Sequence, residues 1–220
     1  MMKKIFIRTT CAIYIVIIFT LSIGCSKAII IPSDISIGQS NTSEGVLLIS
    51  FSLSAYDQIF SSHNIFISNR EYKSLNPRKD YRVSYDIRED SIRIYYEAYK
   101  LPAGEYIMRG WDMHNDGNSG RPLLGRGPSS QFHIPFTVFA GKVNYIGDYL
   151  AIVTQNKNLS GSQIGYGGYF VVSRRLQKDL PIVEKRFPKL NLVGTLNCVP
   201  DFTAYNKKYT GIFVKGINTP

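Results

Sequence analysis

Two neighbouring segments, YRVSYDI (81–87) and SIRIYYEA (91–98), alternate large apolar residues with polar ones, and this period of two restricts the chain more than any other pattern in it. Tyr81, Val83, Tyr85 and Ile87 fall on one parity and Arg82, Ser84 and Asp86 on the other, while Ile92, Ile94 and Tyr96 stand against Arg93, Tyr95 and Glu97. Successive side chains of an extended strand point to opposite faces, so each segment predicts a strand with one wet face. The short charged Arg88-Glu89-Asp90 between them predicts a hairpin. The segment GVLLISFSLSA (45–55) differs, because apolar residues occupy both parities of its first half. That predicts a strand covered on two sides.

Further strands are expected at 63–68, 104–111, 131–139, 142–153, 169–173 and 211–215. Fifteen tyrosines and twelve phenylalanines, beside many isoleucines and valines, suit pleated half-buried surfaces better than helices. Eight or nine short strands in sequence predict an all-β fold of one domain, a sandwich or a barrel, of which an antiparallel β-sandwich is the expected form. One short helix is expected in the C-terminal half, in RRLQKDLPIVEKRFPKL (174–190). There Asp179 would cap, Pro181 would stand in the first turn, Ile182 and Phe187 would pack on the sheet, and Pro188 would end the run. Two Ala-Gly pairs, Ala103-Gly104 and Ala140-Gly141, each precede an aromatic-bearing strand and predict tight turns.

The N-terminus reads differently. Basic Lys3, Lys4 and Arg8 lead into an apolar run from Cys11 to Ile23, which ends at the small residue Gly24. The run of about 13 residues is short against the roughly 20 that span a bilayer, and the order matches an export signal. The residues Leu21-Ser22-Ile23-Gly24-Cys25 resemble the lipobox of bacterial lipoproteins. The usual leucine three positions before the cysteine is replaced by Ser22, with Leu21 one place earlier. The resemblance implies cleavage before Cys25 and a thioether-linked diacylglycerol on it. Ser26, where an aspartate would mark retention, is similar to the pattern sent to the outer membrane in organisms with two membranes. Residues 1–24 are then a lipoprotein signal peptide, 25–44 a lipidated flexible tether rich in Ser, Asn, Gln and Thr, and 45–220 the β-sandwich domain. An uncleaved anchor or ordinary secretion is the alternative.

The phrases LPAGEYIMRGW (101–111) and FTVFAGKVNYIGDYL (136–150) resemble segments of small envelope-lipoprotein domains of immunoglobulin-like or transthyretin-like sandwich type. That resemblance covers about 50 residues and mostly encodes turns and core strands.

Charge and cysteine usage narrow the function. Loss of Lys3, Lys4 and Arg8 takes the net charge from +10 to +7. A basic envelope protein meets anionic headgroups and polymers rather than nucleic acid. Basic residues gather at Arg70, Lys73, Arg78, Lys79 and Arg82, and again at Arg174, Arg175, Lys178, Lys185, Arg186 and Lys189, and read first as solvated faces. With Cys11 and Cys25 in the signal and lipobox, Cys198 is the one cysteine of the body, so no disulfide framework is expected.

Chemistry is sparse. The stretch DMHNDGNSGRPLLGRGPSSQ (112–131) places Asp112, His114 and Asp116 as a calcium loop would, but the twelfth position, a glutamate in such loops, is Leu123. No metal or cofactor is expected. TQNKNLSGSQIGYGG (154–168) reads as a second glycine-rich loop, and if both loops shared one end, Trp111, Asp112, His114, Asp116, Tyr166 and Tyr169 would form a contact surface. There is no Gly-x-Ser-x-Gly elbow and no His-Glu-x-x-His, and His63, His114 and His133 stand alone. The expected function is a lipid-anchored cell-envelope module, binding or structural, that contacts another envelope protein or an anionic polymer without doing chemistry, or that forms a structural part of a larger secretion or surface assembly. The alternative is an envelope hydrolase that uses carboxylates or Cys198 in a cleft, since any Asp and Glu can meet in space.

Overall fold

The computed structural model describes residues 43–54, 62–69, 74–75, 78–80, 84–115, 124–127, 132–157, 163–205 and 211–215. The chain is mostly β, with thirteen strands and one helix among the described residues: β1 (Glu44–Ser54), β2 (Ser62–Asn69), β3 (Ser74–Leu75), β4 (Arg78–Asp80), β5 (Ile87–Glu89), β6 (Ile92–Pro102), β7 (Gly104–Asn115), β8 (Leu124–Arg126), β9 (Ile134–Val138), β10 (Val143–Lys157), β11 (Gln163–Ser173), α1 (Leu176–Arg186), β12 (Leu196–Asn197) and β13 (Ile212–Val214).

Two sheets result. The larger has the order β13-β11-β10-β1-β6-β5, with β12 also on β10, and the smaller has the order β3-β2-β7-β8, with β4 on β2 and β9 on β7. The smaller sheet is antiparallel throughout. The larger is mixed, which corrects the fully antiparallel expectation: β1 runs parallel to β10, β12 parallel to β10 and β13 parallel to β11. The long excursion through the smaller sheet between β1 and β10 allows their parallel pairing, because parallel neighbours need a crossover longer than a turn.

Strand β1 is buried on both faces, as its doubled apolar pattern predicts. Leu47, Ile49, Phe51 and Leu53 join a core shared with the smaller sheet, where Trp111 and Phe170 meet edge to face at 5.3 Å and Phe170 meets Tyr149 at 6.0 Å. Val46 and Leu48 enter a second core with Tyr96, Tyr145, Val183 and Phe187, closed by α1. Helix, large sheet and small sheet are therefore three layers around two cores. Gly211 (φ +62°) closes the first core at one side, since a Cβ there would lie 2.6 Å from the Trp111 ring.

The hairpin expected at 88–90 forms, with Asp90 at φ 51° in its turn, but β5 is only three residues long and residues 84–86 are not strand. Tyr81, Arg82 and Val83 lie outside the described residues. The helix begins earlier than expected, at Leu176 with Arg175 as its N-cap, so Pro181 stands inside the helix and not in its first turn. Ile182 and Phe187 do pack on the sheet. Both glycine-rich stretches are partly strand: β7 continues to Asn115 and pairs with β8, and β10 with β11 forms a hairpin reaching Lys157 and Gln163.

Candidate functional site

On the helix side of the large sheet, β1 changes character halfway. The positions that carry Val46 and Leu48 are followed on the same parity by Ser50 and Ser52, both fully buried. Strand β10 meets them with an irregularity: Leu48 pairs with Tyr145, but Ser50 pairs with Asp148, so β10 holds one extra residue. The extra residue is accommodated at Gly147, whose φ of +115° a side chain would rarely adopt. This bulge shifts the parity, so Asp148 points to the helix side with Tyr145 while Tyr149 and Ala151 keep to the inter-sheet core.

Three hydroxyls converge on the Asp148 carboxylate. Ser52 Oγ donates at 2.6 Å, Ser50 Oγ at 3.1 Å and Ser173 Oγ at 3.2 Å. Burial pushes this carboxyl up to about 6, against the hydrogen bond from Ser52 and the charge of Arg175, with Asp179 adding to the rise. An aspartate in this state changes charge near neutral pH.

A second buried carboxylate stands beside it. Asp179 in α1 accepts from Tyr96 OH at 3.0 Å and Tyr145 OH at 2.7 Å, and Arg175 Nε lies 3.3 Å away. It is fully buried, and its bonds run to side chains of the sheet and to Arg175, which corrects the expectation that it caps the helix. Burial, then the charge of Asp179, holds both tyrosine hydroxyls protonated well above the usual phenol range. Arg175 links this pair to the hairpin, donating from Nη2 to Glu89 Oε1 at 2.7 Å, while Lys178 reaches Glu89 Oε2 at 2.8 Å. Burial opposes ionisation of Glu89, but the hydrogen bonds from Arg175 and Lys178 outweigh it and leave the carboxyl below its ordinary value. Toward the other end of α1, Arg186 pairs with Asp86 at 3.0 Å, and Asp86 also accepts from the Tyr96 amide. The basic residues Arg175, Lys178 and Arg186 are thus engaged by acids and do not form a purely solvated face.

Beside Asp148 lies a cavity of about 40 Å³, lined by Ser52, Ile92, Asp148, Leu150, Val171, Ser173, Arg175 and Lys215. A water needs roughly 10–15 Å³ in this measure, so the space holds on the order of three waters. Pockets for organic ligands run to several hundred Å³. The arrangement can exchange a proton at Asp148 and hold water or a small ion between acid, hydroxyls and two cations. Among the described residues no group of three or more His, Cys, Asp or Glu is placed to hold a metal.

The residues expected at a contact surface are not brought together. Trp111 is 2% exposed and belongs to the inter-sheet core, so it is not at the surface. Asp112 accepts from the Asn64 amide on the adjacent strand, and His114 is exposed three residues beyond Trp111 on β7, so both sit on a strand and not in a calcium-type loop. Tyr169 lies next to Phe170 on β11 and therefore on the opposite face from Trp111, half-buried against Phe213 at 4.8 Å. Tyr166 is part of β11, and Asp116 and Cys25 lie outside the described residues. His133 is exposed just before β9, whereas His63 is wholly buried edge to face with Phe170, where burial lowers it to about 3. Cys198 is half-buried with its thiol 3.6 Å from Asn144 Oδ1, and burial pushes that thiol up, which keeps it protonated.

No family model matches the chain, and no curated protein matches it. Solved structures with partial likeness include a leucine-rich repeat protein from Bacteroides thetaiotaomicron, 18% identical over 48% of this chain and 13% of that one, with a TM-score of 0.32. A proposed cell adhesion protein from Parabacteroides distasonis is 13% identical over 59% of this chain and 41% of that one, also with a TM-score of 0.32. The chain spans less than half the length of either, and likeness at this level carries no argument about function.

Proposed function

We propose that this protein is a bacterial lipoprotein, anchored through lipid on Cys25, whose β-sandwich domain makes contacts in the cell envelope without catalysing a reaction. The anchor reading rests on the basic, apolar and Gly24-Cys25 order of residues 1–25. Each buried methylene of an acyl chain contributes about 0.8 kcal/mol, so two or three chains hold a domain on a membrane durably. No helix among the described residues is long and apolar enough to cross a membrane.

The observation that carries the non-catalytic part is the state of the buried acids. Asp148 and Asp179 direct their oxygens at the protein's own serine, tyrosine and arginine donors, and the adjoining space is about 40 Å³. Such a network joins helix to sheet and leaves little room for a substrate. A hydrolase remains the competing reading, favoured by one feature, the carboxyl of Asp148 raised to about 6 beside a cavity.

Replacing Cys25 with alanine and growing cells with a fatty-acid probe tests the anchor. The wild-type protein is expected to take up label and the variant none; equal labelling of both would overturn it. Cross-linking in intact cells, with wild type and Cys25→Ala compared, addresses the partner, and a captured envelope component lost in the variant is expected.

A further inference from the structure

The parallel pairings of the large sheet have a geometric result. Because β1, β10 and β12 point the same way, the residues that precede all three lie at one end of the domain. Strand β6 is antiparallel to β1 and ends there, Glu44 facing Pro102, and β9 ends there opposite Gly104. Three tips therefore gather around Ser43, where the chain from Cys25 joins the domain: 102–104, 139–142 and 192–195. Backbone contacts tie them together, with Ala103 N donating to Ser43 O at 2.8 Å and Gly141 N to Glu44 O at 2.8 Å. A Cβ on Gly194 would lie 3.3 Å from Lys142 Nζ.

These tips carry apolar side chains in solvent. Val193 is 84% exposed and Phe139 48%, two of the three large apolar residues so exposed among the described residues. Pro102, Ala103 and Ala140 beside them are exposed too, with Lys142 adding a cation. Lys100 is paired with Glu44, and Glu105 is an exposed acid at this end. A set of apolar tips rimmed by few charges, on separate loops at one pole, fits a lipid headgroup boundary better than isolated surface residues do.

We propose that this pole of the domain docks on the lipid surface that holds Cys25, with Phe139 and Val193 entering the headgroup region. The inference rests on the anchor reading. The eighteen residue steps from Cys25 to Ser43 span at most about 65 Å in any conformation, so the pole stays within that reach of the bilayer. At the resulting effective concentration even weak insertion is populated.

The test uses the intact protein as it is extracted from cell membranes, reconstituted in phosphatidylethanolamine–phosphatidylglycerol vesicles, in a Cys198→Ser background. An environment-sensitive fluorophore is placed at Val193→Cys, at Phe139→Cys, or at Arg88→Cys in the hairpin at the opposite end. The expected result is a blue-shifted, several-fold brighter emission at 193 and 139, quenched by nitroxide lipids, and aqueous emission at 88. Mass analysis of the same samples reports whether Cys25 carries lipid. Aqueous emission at all three sites in acylated protein overturns docking while leaving the anchor standing. Absence of lipid on Cys25 overturns the anchor and docking together. Labels that are aqueous on vesicles holding no other protein yet shielded in native membranes assign the pole to a protein partner and overturn the lipid assignment.

Discussion

The two faces of the large sheet are made by the same strands and obey different rules. Toward the small sheet, β1 presents Leu47, Ile49, Phe51 and Leu53 to an aromatic core; toward α1 it presents Val46 and Leu48, then Ser50 and Ser52 around a buried acid. The inter-sheet face includes a buried titratable group, His63, and excludes its charge. The helix face buries Asp148 and Asp179 and surrounds them with six donors, Ser50, Ser52, Ser173, Tyr96, Tyr145 and Arg175, drawn from four strands and α1's N-cap. The first core is stabilised mainly by buried area, roughly 1.5–3 kcal/mol for each large side chain. The second depends on every partner being present, since an unmatched buried polar group costs more than its hydrogen bond contributes.

The sharpest way to break the first face is Phe170→Ala, which removes the ring shared by Trp111, Tyr149 and His63. A loss of about 4 kcal/mol is expected in urea unfolding. Asp179→Ala breaks the second face and is expected to cost about 3 kcal/mol, because the Tyr96 and Tyr145 hydroxyls lose their acceptor. If Asp179→Ala costs less than 1 kcal/mol, the polar network does not hold the helix to the sheet.

The pH dependence separates the faces further. His63 has a folded value below its ordinary 6.5, so the stability tied to it is present above 6.5 and lost as pH falls toward 3, about 3 kcal/mol by pH 4.5. Asp148 has a folded value near 6, above its ordinary 3.8, so its contribution is complete below 3.8 and lost as pH rises through 6, also about 3 kcal/mol. Between pH 6 and 4.5 the two slopes oppose each other and the wild-type profile is expected to be nearly flat. In Asp148→Asn the same interval shows destabilisation toward acid, and in His63→Leu it shows stabilisation toward acid. Parallel profiles for wild type and both variants would contradict the assignment.

Much of the strand content is legible in the amino-acid sequence. Period-two alternation located β6, and the doubled apolar run of β1 announced two cores. What alternation carries is burial by face, and it says nothing of which strands pair, so the parallel joining of β1 to β10 escaped it. Strands of two or three residues, such as β3 and β12, are too short to show a period. The buried acids were missed for two physical reasons. Gly147 inserts a bulge that inverts the parity of β10, and the partners are remote in sequence, with Ser50 lying 98 positions from Asp148 and Tyr96 lying 83 from Asp179. A trace was present in Ser50 and Ser52, small polar residues continuing an otherwise apolar parity. Trp111 misled because its position before a glycine-rich stretch suggested exposure, whereas β7 carries it into the core.

Cys25 bears on the proposed role more than any residue of the domain. The most direct measurement is the mass of the N-terminal peptide of protein extracted from the native membrane. The prediction is a peptide that begins at Cys25 and carries diacylglycerol, with residues 1–24 gone. A peptide that begins elsewhere, or Cys25 without lipid, would contradict it.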